Sequence, residues 1–186
     1  MLFLIAQSNV YSQGEYFKDG ETGITFGRVI AISHGIQANG IGVGFSYCGR
    51  IDFSMVQDDR NTLFDDVNSY SITGHLIKQE FFESGGFPFS LALSMSHSNA
   101  DIRTYSVTPY VTFQLENKID LIVHAGVSLS RQLSNIFSTD YLKSYPLGIA
   151  LLGNLTDHAA LGIESGVIVS KVYPGYGIDI FAALEL

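Results

Sequence analysis

Apolar and small polar residues alternate along several stretches of this chain. In residues 87–96 the odd positions carry Phe, Phe, Leu, Leu and Met, and the even positions carry Pro, Ser, Ala, Ser and Ser. A period of two is typical of a β-strand whose two faces meet different surroundings. The polar faces hold Ser, Gly, Thr and Ala, without the charged residues that a soluble strand turns toward water. The pattern therefore predicts apolar side chains facing lipid and small polar side chains facing a narrow lumen.

The alternation predicts ten strands, although a count of eight is also compatible with it. We expect an all-β fold, in which these strands close into an antiparallel up-and-down transmembrane barrel. Short connections are predicted at the end that holds both termini, which is the periplasmic end of such a barrel, and longer extracellular loops are predicted at the other end. The predicted strands are residues 23–33, 40–47, 51–56, 69–79, 87–96, 104–115, 119–130, 145–153, 159–170 and 175–186.

Two positions fit this pattern poorly. Arg28 shares a face with Ile24 and Phe26 unless a bulge near Gly27 changes the register. Pro109 lies in the middle of a predicted strand, although proline has no N–H to donate to a neighbouring strand. We expect a bulge at Pro109, or a lumen side chain that satisfies the unpaired carbonyl group.

Aromatic residues recur at the two ends of the predicted strands. Tyr residues lie near the loop-side starts of strands, and Phe residues lie near the short turns. Amphipathic rings collect at membrane–water boundaries because one part of the ring is apolar and the other tolerates water. The sequence therefore predicts aromatic belts formed by Tyr70, Tyr105, Tyr145, Tyr176, Phe45, Phe53, Phe89 and Phe113.

Together these features resemble the small bacterial outer-membrane β-barrel proteins, a broad family of roughly eight to ten strands. The resemblance covers about residues 23–186 and rests on the alternation, the short turns, the Tyr belt and the apolar last strand. It implies residence in the bacterial outer membrane, contact with its lipid and lipopolysaccharide, and recognition of the last strand by the barrel insertion machinery. Members usually end in Phe or Tyr, whereas this chain ends in Leu186. Because functions in the family are mixed, the resemblance implies a location rather than an activity.

The first residues are similar to an export signal. Residues 1–6 are apolar, and Val10 and Ser12 fit the −3 and −1 positions of a signal-peptidase site. A disordered tail is the alternative interpretation. We expect a truncated signal peptide, a short N-terminal segment and the barrel, at residues 1–13, 14–22 and 23–186.

Composition narrows the class of function. The net charge of −8 disfavours a nucleic-acid partner. Charged residues make up 15% of the chain, fewer than in ordinary soluble domains, which also argues against a soluble lipocalin-like barrel. The five His and one Cys lack the spacing of a zinc site. The acidic residues 57–66 lack the residue order of a calcium-binding loop. The glycines of residues 40–44 are similar to a nucleotide-binding pattern, but no predicted helix follows them. We therefore expect neither a metal ion nor a cofactor.

Several ionisable residues occupy positions that are predicted to face the lumen. A barrel of this size is filled mainly by side chains, so these groups must bond to one another or to water. We expect a hydrogen-bonded polar network, with a proton or cation path as the alternative. Arg28 and Arg103 are the candidate basic partners, so any passage should favour cations. The predicted lumen residues are Asp52, His75, Glu116, Asp120, His124, Glu164, Asp179 and Glu185.

Three functions are compatible with this sequence. The first is a non-enzymatic role in envelope structure or surface interaction, and the second is a narrow pore for water, protons or small cations. The third is an envelope lipid hydrolase, which would need a nucleophile beside a base. His124 and Ser128 share a predicted face but stand about 13 Å apart along a strand, too far for a hydrogen bond. We therefore expect no catalytic residues.

Overall fold

The chain folds into a closed antiparallel β-barrel. The computed structural model describes residues 16–33, 36–59, 67–78, 89–99, 101–116, 118–133, 141–171 and 174–186. The strands are β1 (Gly23–Ser33), β2 (Ile36–Tyr47), β3 (Ile51–Asp59), β4 (Val67–Ile77), β5 (Ser90–Ser98), β6 (Ile102–Glu116), β7 (Ile119–Ala125), β8 (Val127–Gln132), β9 (Leu142–Thr156), β10 (Ala159–Ser170) and β11 (Gly175–Glu185). Apart from β7 and β8, which do not pair with each other, each strand pairs with its neighbour along the chain, and β11 closes the barrel by pairing with β1. Because β7 and β8 both lie between β6 and β9, they form one interrupted strand of a 10-strand barrel.

The predicted all-β, up-and-down barrel is confirmed. The connections divide between two ends: the turn end, with residues 48–50 and 157–158 beside both barrel termini, and the opposite loop end. The lengths of the connections separate the two ends less sharply than expected. Residues 34–35 alone join β1 to β2 at the loop end, whereas residues 78–89 join β4 to β5 at the turn end.

The outer face of the barrel is apolar. Along β10 the exposed positions hold Leu161, Ile163 and Val167, and the alternate positions, such as Gly162 and Glu164, are buried. The same alternation continues around the barrel, which leaves a broad band of exposed Leu, Ile, Val and Phe side chains. An apolar surface of this extent needs an apolar surrounding medium. In the described part of the chain, no helix is long and apolar enough to cross a membrane.

The predicted Tyr belt lies on this outer face. Tyr70, Tyr105 and Tyr145 each lie three residues into a strand that starts at the loop end, and Tyr176 follows the first residue of β11. All four side chains are exposed. The predicted Phe residues also point outward: Phe45 and Phe53 are register partners near the 48–50 turn, and Phe89 and Phe113 lie near the turn end of β5 and β6.

The lumen has two different halves. Toward the turn end it is filled by an apolar cluster, which the prediction of a purely small and polar interior did not include. Toward the loop end it is lined by hydroxyl groups together with the buried side chains of Val29, Val56 and Ile168. The pairs Thr104–Ser130 and Ser106–Ser128 hydrogen-bond there at 2.9 and 2.8 Å. The apolar cluster comprises Tyr16, Phe17, Ala92, Tyr110, Ile122, Ala150, Leu152, Ala160, Phe181 and Ala183.

Arg28 lies on the outer face with Ile24 and Phe26, and no bulge near Gly27 changes the register. The predicted role of Arg28 as a lumen partner is therefore wrong. The pairing of β1 with β2 and with β11 runs without a register shift, and Arg28 faces outward between Ile41 and Ile180. Arg103 is also exposed on the outer face. The described strands therefore place no Lys or Arg side chain on the lumen side.

Pro109 is accommodated by a gap in the strand ladder rather than by a bulge. It pairs with Leu91 of β5 in an unshifted register. On its other side, the ladder between β6 and its neighbour stops after Val107 and resumes at Tyr110, and this gap separates β7 from β8 at Gly126. The missing N–H of proline explains an interruption that leaves the register unchanged.

Candidate functional site

The lumen contains a piece of the chain that precedes the first strand. Residues 16–22, which we call the plug segment, enter the barrel from the turn end ahead of β1. The side chains of Tyr16 and Phe17 are buried, and Tyr16 stacks on Phe181 with ring centroids 4.2 Å apart. This stacking brings two large rings together inside a barrel that holds few other aromatic side chains in its lumen. The plug segment therefore fills the turn-end half of the lumen.

Several contacts hold the plug segment to the turn end. The ammonium group of Lys78 donates hydrogen bonds to the carbonyl oxygens of Phe17 and Gly49, the latter at 2.8 Å. Arg50 forms a two-pronged ion pair with Asp19, and its Nη2 lies 2.5 Å from Oδ2 of the carboxylate. The backbone N–H of Gly20 donates to the carbonyl of Cys48 at 3.0 Å. These contacts tie the segment to the turn between β2 and β3.

The first polar cluster in the lumen joins the plug segment to two strands. The hydroxyl of Tyr16 donates to Oε2 of Glu164 on β10, and Nε2 of His124 on β7 lies 2.6 Å from Oε1 of the same carboxylate. All three side chains are buried. A Cβ at Gly148 would overlap the imidazole ring, so a residue without a side chain leaves the space for His124.

The second polar cluster lies across β2, β3, β4 and β6. Nε2 of His75 lies 2.9 Å from Oδ2 of Asp52, and Nδ1 of His75 lies 2.8 Å from the hydroxyl of Tyr110. The hydroxyl of Ser46 donates to Oδ1 of Asp52 at 2.7 Å. The two oxygens of Asp52 are thus bonded to different partners, and both ring nitrogens of His75 lie within hydrogen-bond distance of a polar group. Buried polar groups in a lumen are stable when they are satisfied in this way.

The remaining predicted lumen residues are not part of either cluster. Asp120 is buried and receives a long bond of 3.4 Å from Asn154. Asp179 is the register partner of Glu164, and its Oδ1 has no hydrogen-bond partner among the described residues. Glu185 bonds to His158 of the 157–158 turn at 2.8 Å. The side chain of Glu116 lies outside the described residues.

Two ionisable groups at the turn end have shifted pKa values. The hydrogen bond from Arg50 and its positive charge lower the pKa of Asp19 below its ordinary value. The hydrogen bond to Glu185 and the charge of that carboxylate raise the pKa of His158. Both shifts favour the charged forms of these groups.

Sequence reasoning did not identify several of the residues that fill the lumen. Tyr110 had a usable signal, because it shares the inward alternation of Thr108 and Ser106 on β6. Phe181 carried the same signal on β11. Tyr16 and Phe17 had none, because they precede the first strand and follow no strand periodicity.

The pair of a base and a nucleophile considered above, His124 and Ser128, is not formed. His124 bonds to Glu164, whereas Ser128 bonds to Ser106, so this His and Ser do not form a pair. Among the described residues, no group of three or more His, Cys, Asp or Glu is placed to hold a metal ion.

An apolar outer face, a Tyr belt and, among the described residues, carboxylates that lie in the interior or at the two ends are the arrangement expected of a barrel in lipid. The fold is a closed up-and-down β-barrel whose outer face is apolar. This barrel keeps its turn-end half filled and its loop-end half lined by hydroxyl groups.

Comparisons with solved structures find bacterial outer-membrane barrels among the similar chains. The KdgM porin is 8% identical, with a TM-score of 0.43, over 87% of this chain and 99% of that chain. The N-terminal β-barrel domain of OprF from Pseudomonas aeruginosa is 7% identical, with a TM-score of 0.39, over 90% and 99%. Ail, the attachment invasion locus protein of Yersinia pestis, is 13% identical, with a TM-score of 0.39, over 90% and 99%. No family model and no curated protein matches the chain. At these identities the likeness concerns the fold and carries no argument about activity.

Proposed function

We propose that this protein is an integral, non-enzymatic barrel of the bacterial outer membrane, with a role in envelope structure or in surface interaction through its loops. The observation that carries the proposal is the plug segment, since Tyr16 and Phe17 occupy the lumen beneath a closed ring of strands. A barrel whose lumen is filled in this way favours a role in envelope structure or surface interaction over transport through the lumen. Its partners are then outer-membrane lipid, lipopolysaccharide and the insertion machinery that receives β11, without a nucleic-acid partner.

The polar clusters support a structural role for the lumen. The carboxylates of Asp52 and Glu164 both lie within hydrogen-bond distance of a His ring. Each also accepts a hydrogen bond from one hydroxyl group, that of Ser46 or Tyr16. Groups that are satisfied by fixed neighbours stabilise the barrel interior. A transport path would instead need polar groups that face a continuous column of water.

The alternative is a narrow pore for water, protons or small cations. Its support is the loop-end half of the lumen, where hydroxyl groups and Asp179 line the wall without Lys or Arg among the described strand residues. An envelope lipid hydrolase is the less favoured alternative, because His124 and Ser128 are bonded to different partners. Turnover of a phospholipid by the purified barrel would restore the enzymatic alternative.

Planar-bilayer recording separates the structural role from the pore. We expect the intact protein to show no steady, discrete conductance. A double variant, Tyr16→Ala with Phe17→Ala, should conduct measurably, because the plug segment loses the two rings that fill the lumen. Tyr47→Ala on the outer face serves as the control and should stay silent. Steady channels from the intact protein would overturn the structural role in favour of the pore.

A further inference from the structure

Five basic side chains form a ridge on the outer face at the loop end. We call this set the cationic ridge. Its members lie at the loop-end limits of β5, β6, β8, β9 and β10, and their positions alternate with the inward-facing residues of those strands. The ridge comprises His97, Arg103, Arg131, Lys143 and Lys171.

The strand register brings most of these residues side by side, whereas Arg131 and Lys143 are diagonal neighbours because the partner of Lys143 on β8 is Leu129. His97 is the partner of Arg103, and Arg103 is the partner of Arg131. Lys171 follows Ser170, the last partner of β9, and so comes next to Lys143. Like charges directly opposite one another on neighbouring strands are destabilising. Among the described residues, no carboxylate forms an ion pair with any member of the ridge. The members of the ridge are therefore not neutralised by direct ion pairs with the described carboxylates, although Asp101 lies nearby in the connection between β5 and β6.

The ridge lies at the level of the membrane surface. Arg103 and Lys143 each precede a belt tyrosine by two residues, and His97 is the register partner of Tyr70. The ammonium group of Lys143 lies 5.2 Å from the ring centre of Tyr145, and the guanidinium of Arg131 lies 6.0 Å from the ring centre of Tyr141. These rings hold the cations at the boundary of the apolar band. An anion anchored at the membrane surface would lie at the level of these cations.

Among the described residues, the basic side chains at the loop end lie on one side of the barrel. At the loop-end limits of β1, β2 and β3, the described outward side chains are Ile32, Gln37 and Gln57, which carry no charge. A general attraction to an anionic membrane would not require such clustering, whereas a single bound headgroup with several phosphates would. We propose that the cationic ridge binds the phosphate groups of a phosphorylated glycolipid, of the lipid A type, in the leaflet at the loop end. This inference rests on the proposed outer-membrane location.

The test compares binding of lipid A that carries its phosphates with binding of the same lipid after dephosphorylation, to the full chain in a non-ionic detergent. The ridge variant is Arg103→Gln with Lys143→Gln. The control variant is Lys18→Gln with Lys118→Gln, which removes the same charge from exposed positions at the turn end. The shift in migration between boiled and unboiled samples on a gel verifies that every variant is folded. We expect the ridge variant to bind the phosphorylated lipid about 30-fold more weakly, and the control to bind as the unchanged chain does.

The outcomes are distinct from those of the conductance test, because a conducting barrel could still hold the lipid. Loss of binding in the ridge variant alone, together with weak binding of the dephosphorylated lipid, supports the proposal. An equal loss in both variants would show a bulk charge effect and overturn it. Equal binding of both lipids by the unchanged chain, or displacement of the lipid by millimolar inorganic phosphate, would also overturn it.

Discussion

The hydroxyl group of Tyr16 donates a hydrogen bond to the carboxylate of Glu164, although the two residues are 148 positions apart in the chain. This bond connects a segment outside the strands to the inner wall of β10. Because Glu164 also bonds to His124, the plug segment and two strands share a single buried carboxylate. The position of the plug segment is thus coupled to the packing of the lumen.

We expect Tyr16→Phe to lower the free energy of unfolding by about 1–3 kcal/mol, because one oxygen of a buried carboxylate loses its donor while the ring stacking is kept. Urea unfolding in lipid vesicles, followed by tyrosine fluorescence, measures the change. Tyr47→Phe is the matched control, since Tyr47 is exposed on the outer face, and it should change the stability by less than about 0.5 kcal/mol. Equal stability of Tyr16→Phe and the unchanged chain would contradict the bond to Glu164.

Gly148→Ala should destabilise the barrel by about 1–3 kcal/mol, because the added methyl group occupies the space of the His124 ring. Gly74→Ala is the control, since a Cβ at Gly74 meets no atom within 4 Å. The two variants make the same chemical change in a strand, so their difference isolates the contact with His124. Thermal unfolding of both proteins measures it. A loss of similar size in Gly74→Ala would assign the effect to the strand backbone instead.

The fold was predictable because the period of two is imposed by lipid on one side of every strand. Along β10, where apolar residues stand at alternate positions, the sequence predicted both the limits of the strand and its faces. Elsewhere the alternation predicted the faces better than the limits, since residues 87–96 were predicted where the strand is Ser90–Ser98. Arg28 was predicted to be a lumen partner because a charged side chain that faces lipid is costly, and a bulge near Gly27 would have avoided that cost. The unshifted register of β1 shows that the pairing of a complete strand outweighs one unfavourable side chain.

The lumen was less predictable than the wall. The inward positions of His75 and Asp52 follow from strand alternation, but their contact depends on the register between β3 and β4, which alternation alone does not determine. The alternation could not predict the position of the plug segment, because Tyr16 lies outside the strands. Gly148 offered an indirect signal, since a glycine at an inward position leaves space for a large side chain across the lumen.

The ion pair between His158 and Glu185 should make stability depend on pH. The pKa of His158 is raised in the folded protein, so the pair stabilises the fold fully below the ordinary His pKa and loses its effect as the pH rises through the raised value. In Glu185→Gln, the NMR titration midpoint of His158 should move down toward the ordinary value of about 6.5. Asp101→Asn, at the loop end, should leave the midpoint where it is. A midpoint unchanged by Glu185→Gln would show that the carboxylate does not control this ring.

The ion pair that holds the plug segment should depend on pH with the opposite sign to the pair of His158 and Glu185. The pKa of Asp19 is lowered by Arg50, so this ion pair contributes above the ordinary Asp pKa and is lost as the pH falls through the lowered value. Proteolysis of the plug segment should therefore become faster in acid relative to proteolysis of an exposed loop. Asp19→Asn should be cleaved at the same relative rate at either pH. Acid-accelerated cleavage that persists in Asp19→Asn would assign the effect to another group.

Arg28 gives a prediction in which a substitution stabilises the protein. It lies at the centre of β1 and faces outward between Ile41 and Ile180, where a charged side chain costs about 2–4 kcal/mol if it reaches the middle of the bilayer. Arg28→Leu removes this cost, and we expect the free energy of unfolding in lipid vesicles to rise by about 1–3 kcal/mol. Urea titration measures the change.

Arg103→Leu provides the comparison, because Arg103 is also outward-facing but lies beside the Tyr belt at the loop end. A charge near the membrane surface costs little, so this substitution should raise the stability by less than about 1 kcal/mol. The difference between the two variants then reports the depth of Arg28 in the bilayer. A loss of stability in Arg28→Leu would contradict a lipid-exposed position, since it would mean that the guanidinium group makes favourable contacts on the outer face.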